Sequence, residues 1–234
     1  MLIEGAISVK SAINNHKRTI EKVFINVNKK TKDYNYIRKI CKINNIVVEE
    51  CNEEVIKNIS TGKTNGGICA EVGNRINDEF VNGDIFYLDG IEDPFNLGYA
   101  MRTLYAFGVK NVLLSKRDYS LLESQILKSS AGAFDMLNIK ISSNELLEIK
   151  DFKNKGYYIY GLYRNDESKD IFDIKFNNKA LFMLGGEKRG ISNELLSVCD
   201  EHLYISYGSD FRNSLNACGA LDVVATLLYS QRRK

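Results

Sequence analysis

Tryptophan is absent from the 234 residues, proline occurs once and histidine twice. Neither His16 nor His202 stands in a serine–histidine–aspartate or metal-ligand pattern. Both read as surface or structural residues, so any chemistry here works without histidine. The five cysteines, Cys41, Cys51, Cys69, Cys199 and Cys218, include no CxxC pair. An odd number at such spacings argues against a disulfide framework and a zinc knuckle, and no metal is expected. A reducing compartment is the simplest setting. No apolar run approaches the roughly 18 residues that cross a bilayer. The opening MLIEGAISVK has no signal-peptide pattern, so a cytoplasmic protein without a membrane partner is expected. Excess charge is missing too. Basic residues number 32 and acidic residues 30, so electrostatics alone announce no nucleic-acid partner.

What is present is a globular composition, 44% hydrophobic and 26% charged, long enough to bury a core without disulfides. Residues 3–14 predict a helix, and TIEKVFINV (19–27) alternates as a strand does. DYNYIRKICKIN (33–44) has helical spacing that puts Tyr36, Ile37, Ile40 and Ile43 on one face. A strand at 45–50, a short helix at 52–60 and a strand at 67–73 complete a small α/β module over residues 1–73. The polar run NRINDEFVNG (74–83) reads as a linker.

From residue 84 onward, short apolar runs recur at 84–90, 110–115, 157–163, 179–185 and 201–207. Helical stretches at 96–107, 119–131, 144–153 and 192–199 lie between them. Buried β-rich runs alternating with helices predict a parallel sheet covered on both faces. A last helix, roughly 212–231, carries apolar residues round nearly its whole circumference, which predicts burial on all sides and suggests a second subunit.

Three segments follow predicted strands, where open α/β sheets place their ligands. In DGIEDPFNLGYAMRTLYAFG (89–108), Asn96 reads as a helix N-cap and Arg102 lies on the second turn. In LFMLGGEKRGISNELL (181–196), Gly185, Gly186 and Gly190 flank Glu187 and would let a ligand approach bare backbone. The spacing fits neither the dinucleotide fingerprint nor a Walker loop. In YGSDFRNSLNACGALDVV (207–224), Ser214 and Asn216 stand at the mouth of the last helix. Taken singly, a capped helix, a glycine turn and a second cap explain each segment.

In order, NLGYAMRT, LGGEKRGI and SLNACGALDVV resemble the three motifs of the SpoU (TrmH) family of SPOUT-class RNA ribose 2′-O-methyltransferases. SSAGAF (129–134) is similar to a further shared segment. The likeness covers roughly residues 84–231, and residues 1–73 resemble the substrate-binding domain that many members carry first. The resemblance implies a parallel-sheet SPOUT domain over 84–234 with a C-terminal trefoil knot, preceded by a small α/β RNA-binding domain. It implies S-adenosylmethionine as cofactor, touched at Gly185, Ile205 and Leu215 with Ser214 and Leu162 close by. It implies a homodimer and an RNA substrate, ribosomal RNA ranking ahead of tRNA by family analogy. Carried over, Arg102 stabilises charge at the attacking 2′-oxygen, Glu187 orients Arg102 or Asn96, Asn96 positions the ribose and Asn216 fixes the loops.

Three departures stand out. Ile205-Ser206-Tyr207 replaces the family's Ile-Pro-Met, Ser230 replaces a glutamate, and Asn65-Gly66-Gly67 replaces His-Gln-Gly. The near-neutral charge makes RNA binding depend on a few placed cations, Lys17, Arg18 and Arg102 being the candidates. The competing readings are a tRNA ribose methyltransferase, a base-methylating SPOUT enzyme and a non-catalytic RNA-binding protein on the same fold.

Overall fold

The computed structural model describes residues 1–62, 64–186 and 189–233. Among them the chain runs β1 (Leu2–Glu4), α1 (Ala6–Asn15), β2 (Ile20–Asn26), α2 (Lys32–Ile43), β3 (Val47–Cys51), α3 (Glu53–Ile59) and β4 (Ile68–Val72). It continues as β5 (Ile85–Asp89), α4 (Pro94–Ala106), β6 (Asn111–Leu114), α5 (Glu123–Ser129), α6 (Ala133–Met136), β7 (Asn138–Ile141) and α7 (Glu145–Asn154). The last elements are β8 (Tyr158–Leu162), β9 (Lys169–Asp170), β10 (Ala180–Gly185), α8 (Asn193–Leu196), β11 (Glu201–Tyr204) and α9 (Ala217–Arg232). Two compact units emerge: Met1–Ile76 with Tyr119–Met136, and Asn77–Asp118 with the chain from Leu137 onward.

The first unit is a four-stranded sheet, β1-β4-β2-β3, in which β4 is antiparallel to both neighbours and β2 and β3 are parallel. The predicted helix over 3–14 is divided here. Gly5, at φ 88°, turns the chain, so Leu2–Glu4 joins the sheet edge and only Ala6–Asn15 coils. The face predicted for α2 is also rotated. Tyr34, Ile37, Ile40 and Cys41 are buried, whereas Tyr36 and Ile43 are 39% and 66% exposed. Period alone left two overlapping stripes open, and packing against α1 selected the other.

Segment 119–136 is held in this unit by a buried ion-pair cluster. The Arg18 guanidinium, wholly buried, donates to both Asp135 oxygens at 3.1 and 2.8 Å and to Glu123 Oε2 at 2.7 Å. Arg75 adds its backbone N–H to Glu123 Oε2 at 3.1 Å and its side chain to the Phe134 carbonyl at 3.3 Å. Burial lowers the pKa of Arg18, but the Asp135 and Glu123 carboxylates outweigh it and hold the guanidinium above its usual range. A buried guanidinium needs this many acceptors, because an unpaired ion costs several kcal/mol in a protein interior. The expectation that Arg18 meets RNA is therefore overturned: its hydrogen-bonding face is spent inside the fold.

In the second unit seven strands pair in the order β7-β6-β5-β10-β8-β11-β9, all parallel. Alternate residues serve opposite faces. Ile85, Tyr87, Ile159 and Met183 pack with Ile149, Leu195 and Leu196 in one cluster. Phe86, Tyr160 and Phe182 stack with one another on alternate positions, and Phe176 meets their edges. Both faces are apolar, which is why these strands read as unbroken hydrophobic runs.

The polar run 74–83 is not loose. Asp78 exchanges bonds with Ile139 at 2.9 and 3.0 Å, and Asn77 Oδ1 accepts from Ile141 at 2.9 Å. Val81 exchanges bonds with the Asn111 side chain at 3.0 and 2.8 Å. The side chains that suggested a linker are those that satisfy the edge strand β7. The last helix begins later than its composition predicts, at Ala217. Leu221, Val224, Ala225 and Leu228 are buried, Val223 and Leu227 half-buried, and Asp222 and Thr226 exposed.

Candidate active site

Parallel strands deliver all their carboxyl ends to one edge. At that edge the ends of β8, β10 and β11 and the segment before α9 surround a cavity of about 420 Å³. Leu162, Gly185, Ile205, Ser214 and Leu215, the five residues implied for the cofactor, all line it. They come from four separate stretches of chain, and the fold brings them together.

Two of the glycines are also required by the packing of the chain itself. A Cβ on Gly185 would lie 2.2 Å from the Gly190 carbonyl carbon, and one on Gly186 would lie 2.3 Å from the Gly90 oxygen. Their bare faces are filled by neighbouring backbone, with Gly186 and Gly190 bridged. Backbone from Gly90, Gly190 and Ile191 thus packs against Gly185 and Gly186, while Gly190 has an open face, and all three glycines line the cavity.

Asn96 is not the N-cap of α4. Asp93 caps it, accepting from the Asn96 N–H at 2.8 Å, and Pro94 opens the first turn. An aspartate before a proline at the first helical position outranks an asparagine two residues further in. Asn96 is therefore the third helical residue, with its side chain released from capping. Asn216 does cap, accepting from the Cys218 N–H at 2.8 Å. The Cys218 thiol donates to the Asn96 carbonyl at 3.1 Å, so the first turns of α4 and α9 are joined and Asn96 and Asn216 brought close.

Arg102 is exposed on α4, and among the described residues no hydrogen bond or ion pair engages its guanidinium. Neither Arg102 nor Asn96 lines the 420 Å³ cavity. Glu187 lies outside the described residues. Ahead of α4, burial and the nearby Glu145 raise the Asp89 carboxyl, while Ser115 and Tyr87 pull it back, with a net rise. Burial pushes the Cys199 thiol up to about 12, the direction opposite to that of a reactive thiolate.

The sequence pattern missed Arg164, Tyr207 and Arg212, which also line the cavity. Tyr207 places its hydroxyl 3.2 Å from the Leu215 N–H and so braces the segment before α9. The available signal was position. Arg164 directly follows a predicted strand, and Tyr207 and Arg212 stand just before the third motif.

A family model described as the SpoU rRNA methylase family matches residues 84–226, and one described as RNA 2′-O ribose methyltransferase substrate binding matches residues 2–75. A Staphylococcus haemolyticus protein assigned to the TrmH family tRNA/rRNA methyltransferases is 27% identical over 245 residues, covering 100% of this chain and 97% of its own. The structure of a TrmH-family RNA methyltransferase from Porphyromonas gingivalis superposes with a TM-score of 0.81 at 22% identity, over 100% of this chain and 90% of that one. The SpoU methyltransferase AviRb of Streptomyces viridochromogenes, solved with AdoMet, gives 0.78 at 18% identity, over 99% and 90%. At these identities the two structures speak for the fold.

Proposed function

Because the chain belongs to the SpoU rRNA methylase family, we propose that it transfers a methyl group from S-adenosylmethionine to a ribose 2′-hydroxyl of RNA. The observation that carries the reading is the convergence of Leu162, Gly185, Ile205, Ser214 and Leu215 on one strand-end cavity. Its size falls in the range of small-molecule sites, roughly 300–1,000 Å³. Its walls also fit the cofactor: Leu162, Ile205 and Leu215 offer apolar surface to a heterocycle, Gly185 offers backbone groups, and Ser214 a hydroxyl. Bound there, S-adenosylmethionine supplies an electrophilic methyl group on sulfur.

The residues then divide the work. A ribose hydroxyl attacks well only as its proton leaves. Arginine stays protonated, so Arg102 acts as a donor and not as the base. Its open N–H groups meet the RNA phosphate and the 2′-oxygen and stabilise negative charge as it develops. Asn96, freed from capping, positions the ribose. Asn216 fixes the start of α9, and Glu187 orients Arg102 or Asn96.

The same reading includes a trefoil knot formed by the chain beyond β10, and a homodimer. The half-buried Val223 and Leu227 and the 44%-exposed Tyr229 of α9 favour a second copy as their cover. Ribosomal RNA is proposed ahead of tRNA because of the substrate-binding module, and a cytoplasmic site of action is proposed because the five cysteines form no disulfide pattern. The test is transfer of labelled methyl from S-adenosylmethionine to total RNA, then nucleoside analysis. A 2′-O-methyl nucleoside is the expected product. A methylated base would overturn the acceptor, and no product with RNA still bound would leave a binding protein.

A further inference from the structure

Two arginines, Arg164 and Arg212, line the strand-end cavity, and no carboxylate stands among its described lining residues. Much of the remaining wall is apolar side chain and backbone, including Leu184, Leu203 and Ala217. Such a cavity accepts a neutral body against its apolar wall and a negative group at its cations.

The two arginines differ in how firmly they are placed. Arg164 follows β8 by two residues, on backbone fixed just before it. The Tyr163 N–H donates to the Leu203 carbonyl at 3.0 Å, and Ser168 Oγ donates to the Tyr163 carbonyl at 2.7 Å. The Arg164 guanidinium lies over the Tyr204 ring, 5.2 Å from its centroid. Stacking restrains the planar fork while leaving its in-plane N–H groups free. Among the described residues no carboxylate pairs with it. Arg212 sits in the exposed run 208–216, on a turn held by a 3.4 Å bond from the Phe211 N–H to Ser209 Oγ.

We propose that Arg164 is the carboxylate-binding residue of this cavity, its stacked guanidinium pairing with the α-carboxylate of S-adenosylmethionine and fixing the amino-acid tail of the cofactor. The proposal rests on the reading of the cavity as the cofactor site. It assigns to one placed cation the pairing of a charge that the apolar part of the wall cannot match.

Calorimetric titration of the full-length protein tests it, with S-adenosylhomocysteine and with S-adenosyl-3-thiopropylamine, the same nucleoside without its carboxylate. The unaltered protein should prefer the first by about tenfold, the scale of one charge-assisted contact. Arg164→Gln should abolish the preference by weakening only the carboxylate-bearing ligand, and Arg212→Gln should retain it. A preference unchanged by Arg164→Gln overturns the proposal. So does its equal loss in both variants, which would mean a diffuse field instead of a placed contact. If Arg164→Gln binds S-adenosylhomocysteine normally but RNA more weakly, with a salt slope smaller by about one, the guanidinium serves a phosphate and the proposal falls. Failure of the unaltered protein to bind either nucleoside would instead overturn the cavity's assignment to the cofactor.

Discussion

Arg18 and Arg102 stand in different units and use the same side chain in opposite ways. Arg18 is 6% exposed and spends its donors on Asp135 and Glu123. Arg102 is exposed and, among the described residues, engages nothing. The first unit uses charge to secure its own chain, and the second leaves Arg102 exposed, as the proposed function requires. An arginine's role is thus set by the acceptors around it. In this chain those acceptors lie 105 and 117 residues away from Arg18.

Four experiments bear on that contrast. Arg18→Met removes the cation that donates to both buried carboxylates, leaving Arg75, 3.7 Å from Asp135, to face them, and should cost about 3–5 kcal/mol. Urea unfolding measures this, and a loss below about 1 kcal/mol would mean the cluster holds nothing together. Arg102→Ala should leave the midpoint of unfolding and the affinity for S-adenosylhomocysteine within twofold of the original, while transfer falls by about 10²–10³. Unchanged turnover would end the assignment of Arg102. Gly186→Ala drives a methyl group into the Gly90 carbonyl and should cost about 1–3 kcal/mol, accompanied by weaker nucleoside binding. Full affinity in that variant would show that the wall yields more readily than its spacing implies.

The smallest effect is a pH dependence in the first unit. Burial raises the Glu4 carboxyl, but the N–H groups of Gly62 and Thr61 and the charge of Lys128 prevail and hold it below its ordinary 4.5. Its stabilising contribution is complete above pH 4.5 and fades as the pH falls through the lower folded value. Glu4→Gln should therefore flatten the loss of stability on acidification below pH 4.5. Parallel curves for the two proteins would refute this.

The sheet of the second unit was legible because strands buried on both faces must be apolar throughout, as IFYLD and ALFMLG are. β7 escaped notice because it is the sheet's edge: Asn138-Ile139-Lys140-Ile141 buries only Ile139 fully. β1 was hidden because LIE continues the spacing of the helix that follows, and only the backbone of Gly5 separates them. The residues proposed to hold the cofactor were legible through motif resemblance, whereas Arg164 belongs to no motif and was found through the cavity it lines. Arg18 was misread because charge in sequence looks solvated until its distant partners are known. The capping of α4 was misassigned by attending to Asn96 while Asp93-Pro94 carried the stronger signal.

The assembly of the first unit from two stretches of chain bears on its synthesis. Its acidic partners Glu123 and Asp135 are translated long after Arg18, and its second stretch ends 60 residues past Ile76. At roughly 5–20 residues per second, a ribosome takes about 3–12 s to cover that interval. Through those seconds the nascent sheet holds an arginine whose counter-charges do not yet exist. The full set of contacts in this unit therefore forms only after that interval. Its completion is timed by the emergence of a segment encoded within the region that matches the methylase family, which ties the first unit's assembly to synthesis of the second.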